Sequence, residues 1–209
     1  MRISRALVGA VGMLAVGGAA QAAERLVLEP YPGPPWYDVV NQTLGSSFVR
    51  EQMPQGQTPE NPHDILTAQS VPGYRGTPAA FITKAFDDLS QNCETVSTFG
   101  PMTSEDQGRP VAYGRLYCGR QKGQTYGAHI FFKAILGNEA LYVVDRDFRT
   151  PGADHPGAPA FPAGQEDQAV AFLKAEGEAT RYLNEKVFVC DPVFPEPRCG
   201  DSTHAPVGQ

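Results

Sequence analysis

The stretch Tyr126–Phe148, YGAHIFFKAILGNEALYVVDRDF, decides the fold. Ala128, Ile130, Phe132, Ala134 and Leu136 fall on one face of a period-two pattern, and His129, Phe131, Lys133 and Ile135 on the other. Two-residue alternation in β-branched and aromatic side chains predicts a strand. Gly137, Asn138 and Glu139 supply a turn, because Gly and Asn take positive φ more cheaply than other residues. The chain then resumes as ALYVVDRDF, with Leu141, Val143, Asp145 and Asp147 opposite Tyr142, Val144, Arg146 and Phe148. One hairpin is marginal in water and needs more strands or a helix over its apolar face. The run VAYGRLYC, Val111–Cys118, provides the third strand, so an antiparallel meander is expected from about residue 111 to 148.

Working outward, Thr77 with Pro78 reads as a helix start, followed by an apolar stripe of Phe81, Ile82, Ala85, Phe86 and Leu89. A second helical period runs from Gln165 to Val187, with Ala169, Phe172, Leu173, Tyr182 and Leu183 as its buried stripe and Gly177 interrupting it. Asn61, Pro62 and Asp64 predict a short helical segment reaching Ala68. Residues 94–99 suit a strand, 100–110 a polar loop, and Arg149–Gly164 a proline- and glycine-rich surface loop. The fold class is therefore α+β, an antiparallel β-sheet with flanking helices.

The first residues, MRISRALVGAVGMLAVGGAAQA, carry basic Arg2 and Arg5, an apolar core and a small-x-small end, the pattern of a secretory signal peptide over 1–22. Residues 23–200 are expected as a single α+β domain and 201–209 as a flexible tail. The formal net charge is −6, and loss of Arg2 and Arg5 makes it −8. That balance argues against nucleic acid or anionic lipid as the main partner, and no later stretch is apolar enough for an integral membrane segment. A periplasmic or secreted location follows as the expectation. The four cysteines, Cys93, Cys118, Cys190 and Cys199, are even in number, which suits disulfides in an oxidising compartment. Cys93 with Cys118 and Cys190 with Cys199 is the favoured pairing. The first joins a helix end to its neighbouring strand, and the second closes a short loop.

The segments Met53–Val71 (MPQGQTPENPHDILTAQSV), Pro78–Gln91, 111–148 and the terminal helix, in that order, resemble PsbP-like proteins. The resemblance implies an α/β/α sandwich around an antiparallel sheet, and roles as assembly factors, ligand-binding modules or accessory proteins.

No motif assigns a catalytic residue. The serines lie outside any G-x-S-x-G context, and His63, His129, His155 and His204 lack metal-ligand spacing, so neither a metal site nor a cofactor is expected. Asp145 and Asp147 project to one face, where they suit acid–base work or, more blandly, a solvated face or a protected sheet edge. Arg115, Tyr117, His129 and Phe131 share a face with Tyr113, a mixture suited to protein contacts; the same face is core if the terminal helix covers it. The functional expectation is an exported, non-enzymatic accessory or binding protein recognising a protein or cell-envelope component. The alternative is a small hydrolase or ligand-binding enzyme with a site assembled in space.

Overall fold

The structure is a computed structural model that describes residues 24–31, 33–157, 161–191 and 197–199. The expected signal peptide over 1–22 and the tail over 201–209 lie outside these residues.

A seven-stranded antiparallel sheet forms the middle layer, built from β2 (Trp36–Leu44), β3 (Ser47–Pro54), β4 (Asp64–Pro72), β5 (Cys93–Asp106), β6 (Arg109–Gln121), β7 (Tyr126–Leu136) and β8 (Ala140–Pro151). Their order is β2-β3-β4-β8-β7-β6-β5. The expected meander is its second half, and β7 pairs β8 from Tyr126↔Pro151 to Leu136↔Leu141 without a slip. Helix α1 (Pro78–Ser90) covers one face and α2 (Glu166–Glu185) the other. The alternation of β7 divides the core accordingly. Ala128, Ile130, Phe132 and Ala134 pack with Ile82 and Phe86 of α1, while Phe131 and Ile135 pack with Ala179, Tyr182 and Leu183 of α2.

A two-stranded ribbon joins the two ends of the described chain: β1 (Arg25–Leu28) pairs antiparallel with β9 (Val187–Cys190). It lies on the α2 side, where Leu26, Val187 and Val189 enter the core. Both expected disulfides are present, Cys93–Cys118 and Cys190–Cys199.

Helix α1 starts as the sequence implies. Thr77 is extended, its hydroxyl accepts from the Ala80 amide, and Pro78 needs no amide partner in the first turn. Gly114 explains how closely α1 approaches the sheet, since a Cβ there would collide with Ile82 and Phe86.

Three expectations are corrected. Asn61–Ala68 is not helical: Asp64 opens β4, whose backbone is held along β8 from Asp64↔Phe148 to Pro72↔Ala140. Residues 100–110 are not a loop but the outer end of a long β5–β6 hairpin, turning at Gln107 and Gly108, both at positive φ. Leu173 stands outside the buried stripe of α2, at 58 % exposure.

Candidate functional site

Three residue rows cross β6 and β7 on the α2 face: Tyr117↔His129, Arg115↔Phe131 and Tyr113↔Lys133. The strand register therefore brings the four candidate residues together, and α2 then divides them. His129 Nδ1 lies 2.6 Å from Glu176 Oε1 of α2, and its ring stands edge-on to Tyr117 and Phe172 at 4.5 and 5.3 Å. Phe131 packs edge-on against Phe148 in the core. His129 and Phe131 are both buried, so the expected open recognition face does not include them. The cause is the apolar stripe of α2, which finds its partner on these central strands.

Arg115 and Tyr117 sit at the margin of α2 and stay half-exposed. Arg115 Nη2 donates to Thr180 Oγ1 at 3.3 Å, and its guanidinium lies 5.2 Å from the Phe131 ring and 6.0 Å from the Phe99 ring. Phe99 pairs with Arg115, and Met102 with Tyr113, across the β5–β6 ladder. Being on the edge strand, they remain 52 % and 47 % exposed. Along the facing side of α2, Leu173 and Thr180 are seven residues apart and so share one flank. Gly177 between them leaves open space. The result is a strip with Tyr113, Arg115 and Tyr117 as its floor, bounded by the exposed Phe99 and Met102 on one side and by the α2 flank on the other.

Lys133, in the third row, has no exposed side-chain surface. Its ammonium donates to Val187 O at 2.6 Å and Asn184 O at 3.4 Å, and reaches Asp106 Oδ2 at 3.4 Å. α2 has no basic residue in its last turn, and the sheet supplies that charge from below, where it suits the negative end of the helix. Burial pulls the Lys133 ammonium down to about 8, against the opposing pull of Asp106.

The carboxylates fall into two settings. Asp145 and Asp147 do face one way, but β8 is the central strand, so neither protects an edge, and Asp145 is buried. Asp147 borders a cavity of about 20 Å³ beside Cys93, Cys118 and the end of α1, room for a water molecule rather than a substrate. On the opposite face Arg146 forks onto Asp64, with Nε–Oδ1 at 2.8 Å and Nη2–Oδ2 at 2.6 Å. Burial and the Asp147 charge push the Asp64 carboxyl up, and burial pushes Arg146 down; the fork opposes both, because each charge is the other's partner.

Lys133, Asp64 and Glu24 escape sequence reasoning as structural ionic groups. Only the charge at Lys133 inside an apolar strand signals one of them, since the groups that meet these three side chains are distant in sequence. Of the remaining histidines, His63 is exposed beside Asn61 and His155 is exposed in a loop, and His204 lies outside the described residues. Among the described residues no group of three or more His, Cys, Asp or Glu side chains is placed to hold a metal ion. No described helix is long and apolar enough to cross a membrane. No protein-family model matches the chain, and no curated protein matches it.

Proposed function

We propose that this chain is an exported, non-enzymatic binding or accessory protein that docks a protein of the cell envelope along the strip between α2 and β5. The observation that carries the reading is the pair Phe99 and Met102, large apolar side chains held in solvent beside Arg115. Exposed apolar groups around an arginine are the composition of interface hot spots. Arg115 has a neutral partner, Thr180, and two phenyl rings at hand, so it is suited to an acidic residue of the partner. Phe99 and Met102 stand exposed on an edge strand, which favours docking over turnover of a small substrate. The resemblance to PsbP-like proteins, with their accessory and assembly roles, supports the same reading, and the two disulfides support an oxidising, exported setting.

The hydrolase alternative would rest on His129, a base oriented by Glu176. Its described hydrogen bond goes to that carboxylate, and no serine or cysteine among the described residues bonds to it.

The test is capture of partners from a solubilised envelope extract by the disulfide-intact protein, with Phe99→Ala/Met102→Ala and Arg115→Glu variants whose folding is verified by circular dichroism. A stoichiometric partner held by the native chain and lost from both variants is the expected result. Equal recovery by the variants would remove the strip from consideration. Absence of any stoichiometric partner would count against a docking protein.

A further inference from the structure

Arg146 stands where the sheet, α2 and the amino-terminal arm meet, and its side chain is more completely enclosed than its bonds explain. Asp64 takes Nε and Nη2. Aromatic rings wall the guanidinium: Tyr31 at 3.9 Å, Phe148 at 4.6 Å and Trp36 at 5.2 Å from their centroids. Tyr31 and Trp36 are themselves 5.2 Å apart, and Tyr31 leans on Tyr182 of α2 at 4.5 Å. Within this stack Arg146 Nη1, Trp36 Nε1 and Tyr31 Oη are all buried, and none has a hydrogen-bond partner among the described residues.

Buried polar atoms are nearly always bonded, so three on adjoining side chains mark a place for something else. Their chemistry narrows what it is. Guanidinium and indole N–H groups donate and cannot accept, and only the tyrosine oxygen can do both. A water molecule would bring two hydrogens of its own to a site with one acceptor. A carboxylate brings acceptors only, which matches a site made almost wholly of donors. We infer that the Arg146 box binds a small carboxylate, which takes the Nη1 side of the guanidinium while Asp64 keeps the other edge.

The arm closes over the box. Glu29 is fastened by its amide to Lys186 O, by its carbonyl to Tyr182 Oη and by its carboxylate to Lys186 Nζ, and Pro35 O accepts from the Gln55 amide. Tyr31 lies between these fastenings, which hold its ring over the guanidinium. This site does not involve the strip under α2, and either can fail without the other.

Trp36 is the single tryptophan, so its fluorescence reports on the box directly. The experiment titrates acetate into the disulfide-intact protein at ionic strength held constant with chloride, with acetamide as the neutral isostere. A saturable change with acetate, absent with acetamide and weakened about fivefold in Tyr31→Phe, which keeps the ring and removes one donor, is the expected result. No saturable change, an equal response to acetamide, or an affinity unaltered by Tyr31→Phe would each overturn the site. So would a crystal structure at saturating acetate with water alone beside Nη1.

Discussion

Lys133 is an ammonium without exposed surface, and its charge has a measurable thermodynamic signature. Its folded value of about 8 lies below its ordinary 10.5, so between these limits the unfolded chain binds the proton that the folded chain has released. Stability from this group therefore rises with pH through that window. Tyr113, Tyr142 and Tyr182 are pushed up by burial and act in the opposite sense above pH 10. The comparison to make is the urea stability of the native chain against Lys133→Met from pH 8 to 10, since the tyrosines are common to both. The native chain should gain roughly 2 kcal/mol on the variant across that range; a constant difference would mean that Lys133 titrates normally. Sequence reveals where Lys133 stands, on the inward face of a strand, because strand period assigns faces without reference to partners. It cannot reveal that the end of a helix some 50 residues later receives the charge. Arg115, Tyr117, His129 and Phe131 show the same limit: their common face is legible in the alternation, and which of them α2 covers depends on where the helix comes to rest.

Among the elements, the close seating of α1 on β6 depends on a missing side chain. Gly114→Ala should destabilise the fold by about 1–3 kcal/mol, because the added methyl meets Ile82 and Phe86 within a packed core. Thermal unfolding of the variant measures it, and an unchanged midpoint would show that α1 can shift outward freely. The disulfides differ in the chain they close, with sequence separations of 25 for Cys93–Cys118 and 9 for Cys190–Cys199. Loop entropy alone gives about 3.5 and about 2.6 kcal/mol. Paired serine variants should accordingly rank in that order in chemical denaturation. Central strands such as β7 and β8, rich in apolar side chains on both faces, are plain in the sequence. Only the first half of β5 is, because the outer half of an exposed edge strand has little to bury and carries serine, threonine and acids where a central strand has valine. The Asn61-Pro62-Asp64 start signal misleads because Asp64 is spent on Arg146 rather than on capping a helix.

At the scale of the whole molecule, Glu24 ties the beginning of the described chain to its far end. Its nearly enclosed carboxylate accepts from the Asn138 and Glu139 amides and from Arg109 Nε, Arg109 also reaches Asp191, and Tyr142 Oη donates to the Glu24 carbonyl. Glu24→Ala leaves these donors without their acceptor and should cost about 3–5 kcal/mol, read as a lower urea midpoint; a cost under about 1 kcal/mol would mean that water replaces the carboxylate. The layered α+β form is legible from element order and alternation. The closing ribbon is not, since four-residue β1 and β9 are too short to announce a partner more than 150 residues away. That ribbon also sets how the molecule answers a mechanical pull. Arg25 faces Cys190 and Leu28 faces Val187, so tension on the two chain ends opens the pair from its Arg25 end, one rung at a time, rather than shearing all rungs together. The Cys190–Cys199 bond shunts force past the intervening loop to the first rung. A threading motor that gripped both ends would meet its weakest resistance there.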